Sequence, residues 1–280
     1  MLTLSGIAVD AVSVGGLETC IQLPGLDVAF DMGVCPPRAV ARTHVLFTHS
    51  HIDHMGAVAA HCATRSLMGM APPTYAVPAE RVDAFHELLS VWRRLDGSAL
   101  PCTVIPASPG TEVPLGRGRV GRAARSLHRV PCLSWSIWSH KKKLAPAWLG
   151  ASGREIAAAR ARGEDVEVRK ETCEVAFTGD TLVEAIEREE SLRTARLLIM
   201  EVTFLDDRVS VAAARDKGHI HLDEVVARAD IFANEHILFT HMSARYRQQE
   251  AEEILARRLP PSLRERVTLL PPRRMRPVLR

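Results

Sequence analysis

The stretch His49-Ser50-His51-Ile52-Asp53-His54 places four metal-ligand side chains within six residues. His49 and His51 stand two apart, so along an extended stretch they point the same way. Asp53 follows at the same spacing, with His54 beside it. In a core without a metal such a cluster is costly, because every buried polar group needs a partner. In a solvated turn it would be harmless. The small residues that follow, Gly56-Ala57-Val58-Ala59-Ala60, predict a helix packed closely behind, which makes the stretch a buried loop and the metal the stronger reading.

Moving outward, short apolar runs recur and stop abruptly at a polar residue: CIQL, LDVAFDMG, HVLFTHSH, EVAFTGD, ARLLIMEVTF and HILFTH. They are rich in Val, Ile, Leu and Phe, the pattern of strands buried on both faces. Three end almost alike, in LFT-His49, AFTG-Asp180 and LFT-His241. A buried strand that stops at a ligand side chain projects it from a rigid support, and core packing gives no reason for three of them. Between the runs lie stretches of helical composition at 57–69, 79–95, 183–193, 222–234 and 247–258. Strands alternating with helices predict an α/β chain with helices outside the sheets.

The 280 residues are 46% hydrophobic and 25% charged, the ordinary globular range. No run approaches the ~18 apolar residues of a membrane span, and the N-terminus reaches Asp10 too early for a signal peptide. Six cysteines (20, 35, 62, 102, 132, 173) never fall in a C-x-x-C. They are read as reduced thiols of a cytoplasmic protein rather than three disulfides. The formal net charge of +3 names no partner. Residues 106–122 read as turns between short strands. Residues 139–171 hold eight Lys or Arg against five Asp or Glu and read as an exposed inserted excursion, with no linker to divide the chain into separate domains.

The run His49-x-His51-x-Asp53-His54 resembles the H-x-H-x-D-H signature of the metallo-β-lactamase superfamily. Within it the chain is similar to the ribonuclease Z family, tRNA 3′-processing endonucleases, and most to the short plant forms. The likeness spans nearly the whole chain: GGLETCI, FDMG, AFTGD, MEVTFLDD, KGHIH and THMSARY. It implies an αββα four-layer sandwich of two mixed sheets flanked by helices, one domain over 1–280, with 139–171 as a short basic tRNA-binding arm. It also implies two metal ions, one held by His49, His51 and His128, the other by Asp53, His54 and His241, with Asp180 bridging. Imidazole and carboxylate donors without thiolate suit zinc, and also manganese or iron. His128 has no ligand partner nearby in sequence and enters only through the resemblance.

The implied reaction is attack on a phosphodiester by a hydroxide shared between the ions, removing the 3′ trailer of precursor tRNA. Metal binding can lower the pKa of water to about 7. With two divalent cations against Asp53, Asp180 and a hydroxide, the site keeps about one net positive charge, which suits a phosphodiester. Asp53 is also expected to orient the attacking water as a base. The leaving oxygen needs a proton, and the resemblance assigns this to His219 supported by Glu201, since a carboxylate raises the pKa of a histidine it holds. His221 is the rival. Lys141, Lys142, Lys143 and Arg245 are candidate RNA contacts, with Tyr246 beside Arg245, and a homodimer is expected by analogy.

Trp135, Trp138 and Trp148 flank the basic run and could stack on bases or belong to the core. His44, His61, His86, His140 and His236 fit surface or helix-face positions. Two departures from the family pattern bear on substrate recognition. VGGLETCIQLPG stands where many members carry a Pro- and Arg/Asn-containing loop, and Cys132-Leu133-Ser134-Trp135 replaces Ser-x-Gly-Tyr. The competing functions are a hydrolase of small phosphodiesters or other esters on the same site, and a silent RNA-binding protein that kept the fold.

Overall fold

The computed structural model describes residues 1–271, the side chain of Arg169 excepted, so that one member of the basic excursion lies outside the described residues. The chain forms two seven-stranded sheets. The first takes its strands in sequence order: β1 Leu2–Leu4, β2 Ile7–Val14, β3 Glu18–Leu23, β4 Val28–Phe30, β5 His44–Leu46, β6 Thr74–Pro78 and β7 Thr103–Ala107. The second runs through β8 Glu112–Gly116, β9 Arg119–Arg125, β10 Leu133–Leu144, β11 Glu167–Phe177, β12 Leu197–Glu201, β13 His236–Thr240 and β14 Val267–Leu269. In each sheet the first four strands pair antiparallel and the rest parallel.

Side chains of a strand alternate between faces, and here the two faces serve different cores. Leu197, Ile199 and Leu238 join Leu46, Ala76 and Phe30 between the sheets. Their neighbours Leu198, Met200, Ile237 and Phe239 face outward under Ile254 and Leu255 of the helix Gln248–Arg258. On the other side Val45, Phe47, Tyr75 and Val77 pack under Val58 and Cys62 of α2 (Val58–Leu67) and Phe85 and Leu89 of α3 (Val82–Asp96). That is the four-layer order of helix, sheet, sheet, helix. Phe30 and Phe177 stack across the sheet interface with centroids 5.1 Å apart, an aromatic contact worth about 0.5–1.5 kcal/mol beyond its area.

The expected helix 183–193 breaks at Glu189, whose backbone is extended and whose side-chain Oε1 caps a second short helix by accepting from Ser191 N. The expected 222–234 is helical only over Leu222–Val226, with a 3₁₀ turn at Ala229–Ile231. His61 lies on the buried face of α2, within 2.8 Å of the Tyr75 hydroxyl, not at the surface. Trp135 is core: it is fully buried and its Nε1 donates to the Phe47 carbonyl at 2.9 Å, which removes it from the stacking candidates.

The excursion is a continuation of two strands. β9 stops pairing with β10 at Ser139↔Arg119, whereas β10 and β11 run on together to Leu144↔Glu167. The hairpin so formed carries a 3₁₀ turn at Pro146–Trp148 and a helix, Gly153–Ala161, at its far end. Ser152 and Glu155 close a capping box on that helix, satisfying its first free N–H groups. Lys141, Lys142 and Lys143 are exposed, and Lys141 pairs in register with Lys170.

Candidate metal centre

The parallel strands of both sheets release their chains at one edge of the sandwich, where open α/β sheets place their ligands. Asp31 follows β4, His49 follows β5, Asp180 follows β11, Glu201 ends β12 and His241 follows β13. The loop after β5 runs directly into a short helix, Ile52–Met55, that carries Asp53 and His54. His128 comes from the loop joining β9 to β10.

Donor atoms converge in three overlapping groups, the third joining Asp180 and His241 to His219. His49, His51, His128 and Asp180 bring one ligand atom each within 4.8 Å of one another, and so do Asp53, His54 and His241. The first group closes through His49 Nε2 and His51 Nδ1, 3.0 Å apart, with His128 Nε2 3.4 Å from the latter. In the second, the Nε2 atoms of His54 and His241 are 3.3 Å apart and each lies 3.5 Å from Asp53 Oδ2. Asp180 divides its carboxylate between them. Oδ2 is 3.7 Å from His49 Nε2, while Oδ1 is 3.3 Å from His54 Nε2 and 3.4 Å from His241 Nε2.

What aims these nitrogens is a set of hydrogen bonds behind them. Asp31 Oδ1 accepts from Thr48 N at 2.7 Å, and Oδ2 accepts from both the Thr48 hydroxyl and His54 Nδ1, each at 2.8 Å. Having given its proton to Asp31, the Thr48 oxygen accepts from His49 Nδ1 at 3.0 Å. Glu201 does the same across the site. Its Oε2 accepts from the Thr203 hydroxyl at 2.5 Å, and that oxygen accepts from His241 Nδ1 at 3.0 Å. His128 Nδ1 donates to the Gly218 carbonyl at 2.9 Å. Four imidazoles therefore carry a proton on Nδ1 and turn Nε2 inward.

Four inward Nε2 nitrogens beside the carboxylates of Asp53 and Asp180 call for a cation among them. The residues thus fit a divalent metal. Burial holds the imidazoles of His49, His51 and His128 below the ordinary histidine range, in the neutral form a metal needs. At His54 burial acts the same way, but Asp180 and Asp31 outweigh it and hold the imidazole well above that range, so a metal there would displace a proton. Burial alone would raise Asp180, but His241 and His54 outweigh it and hold the carboxylate well below its usual range.

Backbone constraint completes the site. His241 and Asp31 both adopt φ of 58°, a left-handed conformation that a non-glycine residue holds only where its surroundings impose it. A side chain at Gly33 would put its Cβ 1.7 Å from the Asp53 carbonyl oxygen, and one at Gly179 would sit 2.7 Å from Thr48 Cβ. The first lets the loop after β4 close on the helix that carries Asp53, and the second lets the Asp180 loop close on the signature loop.

His219 and His221 part company. His219 Nδ1 donates to Glu201 Oε1 at 3.0 Å, and its ring lies 5.3 Å from those of both His128 and His241. Burial opposes charge on it, yet Glu201 prevails and lifts its pKa to about 9. His221 is fully buried and spends both nitrogens on structure, accepting from Asp223 N and donating to the Asp206 carbonyl. Tyr246 is likewise structural. Its hydroxyl accepts from Leu205 N and donates to Asp206 Oδ1, so it is withdrawn as a phosphate contact, while Arg245 remains exposed on the loop after His241. Asp31, Thr48 and Thr203 were missed in the sequence. The Asp31 signal was present, because it ends an apolar strand just as Asp180 does.

No family model matches the chain. It is 39% identical to tRNase Z TRZ1 of Arabidopsis thaliana over 271 residues, 96% of each chain. The chain belongs to the tRNase Z family. Among solved structures it resembles the short form of human tRNase Z (TM-score 0.62, 17% identity, 94% of this chain and 96% of that one). A metallo-β-lactamase fold protein of Bacillus subtilis superposes equally well (TM-score 0.62, 15% identity, the same coverage). The tRNase Z chain thus has the metallo-β-lactamase fold.

In this tRNase Z chain the Asp31 carboxylate fixes two imidazoles at once. Asp31→Asn would turn an amide donor toward either Thr48 or His54 Nδ1, donor against donor. Zinc affinity, read by competition with a chromophoric chelator, should fall about 10–100-fold while the melting curve stays cooperative. Unchanged affinity would show that the centre does not rely on Asp31.

Proposed function

We propose that this protein is a metal-dependent endoribonuclease that cuts the 3′ trailer from precursor tRNA. The observation that carries the reading is the division of Asp180 between two donor groups with the Glu201–His219 pair beside them, in a chain matched end to end by a tRNase Z. Two zinc ions suit the nitrogen and oxygen donors, with manganese or iron as substitutes. His49, His51, His128 and Asp180 would hold one, and Asp53, His54, His241 and Asp180 the other. When bound, they supply Lewis acidity toward the phosphate and a water acidic enough to attack at neutral pH.

The chain's own groups do the rest. Asp53 takes a hydrogen bond from Gly16 N at 3.0 Å on Oδ2, which fixes that carboxylate to orient the attacking water and receive its proton. His219 passes its proton to the departing ribose 3′-oxygen. Glu201 keeps that imidazole protonated and correctly turned. A cationic acid beside a phosphodiester also favours charge on the leaving oxygen.

The hairpin 139–171 is proposed as the arm that grips tRNA, with Lys141, Lys142 and Lys143 on its exposed flank and Arg245 on a separate loop at the centre. A homodimer is supported by α3, whose Leu88, Val91, Trp92 and Leu95 stand at i, i+3, i+4 and i+7 and are all exposed, Leu95 by 72%. Leu67, 87% exposed at the end of α2, adds to the same apolar character. Such surface marks an interface. The cysteines are free and no described helix is long and apolar enough to cross a membrane, in keeping with the cytoplasm.

Purified protein should cut both a precursor tRNA and bis(p-nitrophenyl) phosphate. Cleavage of the small ester alone would point to a small-phosphodiester hydrolase, and of neither to a silent fold. His219→Ala should lower kcat about 10²–10⁴-fold with metal content intact, whereas His221→Ala should lower the melting temperature first. The reverse pattern would exchange their roles. Deleting 141–163 should weaken precursor-tRNA binding and flatten its dependence on salt, and unchanged binding would remove the arm from recognition. Sedimentation should give a dimer that Trp92→Glu/Leu95→Glu splits. A wild-type monomer at micromolar concentration would rule that interface out.

A further inference from the structure

Next to the metal centre, with His128 in its wall, lies an open cleft of about 350 Å³, inside the range of small-ligand sites. Pro78, Pro109 and Pro131 give it apolar walls, and Glu80 is the one carboxylate among the lining residues. Two guanidinium groups line it, Arg125 and Arg129, both exposed. Neither has an ion pair or side-chain hydrogen bond among the described residues. Their neighbour Arg122 shows the contrast, since it is held by Glu112 and Glu171. The cleft therefore presents surplus positive charge that the fold does not use.

Its rim is tied to the catalytic loops by the backbone. Ser126 Oγ reaches the carbonyls of Thr178 and Asp180 at 3.3 and 3.0 Å, and Cys132 Sγ reaches the Asp180 carbonyl at 3.3 Å. Leu127 N donates to the Thr181 hydroxyl at 3.1 Å, and Leu182 N donates to the Leu127 carbonyl at 2.9 Å. On its other flank, an atom added at Gly218 would lie 3.2 Å from Arg129 Cγ, so the Arg129 stem rests against the residue that precedes His219. Whatever sits in this cleft is held in register with Asp180, His128 and His219 together.

We propose that the cleft seats the single nucleotide adjoining the scissile phosphate, with Arg125 and Arg129 holding the next phosphate along the strand. The proposal rests on the reading of the protein as an RNA-cleaving enzyme. A guanidinium suits a phosphate through paired N–H donors, and the volume admits one nucleotide rather than a duplex. Arg125 and Arg129 act here as specificity-determining residues and take no part in bond breaking.

The test compares wild-type holoenzyme with Arg125→Gln/Arg129→Gln. The substrates are a precursor tRNA with a long trailer, the same tRNA with a one-nucleotide trailer, and bis(p-nitrophenyl) phosphate. A charge-assisted contact contributes enough to make the loss tenfold or more, and it should appear in KM rather than kcat. The fall in kcat/KM for long-trailer precursor should exceed that for the small ester by at least tenfold, with zinc content unchanged. A defect confined to the long trailer places the trailer in the cleft. An equal defect for both precursors places the last tRNA nucleotide there, and either result supports the proposal. Equal cleavage by variant and wild type overturns it, as does a parallel fall on the small ester. A wild-type protein that leaves precursor tRNA uncut overturns the RNA reading first, and the cleft assignment with it.

Discussion

Two buried carboxylates, one from each sheet, decide where four of the histidines at the centre point. Asp31 ends a strand of the first sheet and Glu201 ends one of the second. Each accepts a threonine hydroxyl, and each threonine oxygen then accepts from a histidine. Each also takes a second histidine directly, His54 or His219. A neutral imidazole offers one donor and one acceptor, and a fixed partner for the donor fixes the acceptor. The centre is thus set by pairwise proton placement in the protein, before any ion is considered.

This arrangement stands against stability. Asp31, His49, His54, Asp180, Glu201 and His241 are all buried, and burying charge or unpaired polarity is unfavourable unless every group is satisfied. Asp31 pays for part of this in its own acidity: burial pushes its carboxyl up, and His54 and Thr48 pull it back only in part. Two of the same residues hold left-handed backbone. The cores on either side are what permit such a rim. The sheet interface alone buries Phe30, Leu46, Trp135, Phe177, Ile199 and Leu238.

Much of this was legible in the residues. A strand buried on both faces and stopping at His49, Asp180 or His241 states both its architecture and its ligand, because few other arrangements tolerate a polar group there. The H-x-H-x-D-H run likewise carries its own spacing. Asp31, Thr48 and Thr203 were not read, since each is an ordinary residue for a strand end and gains its role from partners 17, 23 or 38 positions away. His128 is similar: nothing near it in sequence is a ligand, and it joins the others only when β9 and β10 fold over. Trp135 was open in the sequence between base stacking and core, and strand alternation turns it into the core while the lysines continue along the hairpin. The apolar outer face of α3 is not legible as a separate surface, because the same helix has a proper inner face in Phe85 and Leu89.

The hairpin and the centre share a strand. β11 runs from Glu167, out beyond the sheet, to Phe177, three residues before Asp180. From Lys170, where the basic flank begins, to Phe177 is seven residues, or about 23 Å at the rise of an extended chain. One rigid element thus separates the cationic surface from the reacting atoms by a set length. A compact diester can occupy the centre without reaching the lysines of its own subunit, whereas a polymer of sufficient extent can engage both. The strand thus sets one fixed spacing between the basic flank of the hairpin and the metal-ligand loop.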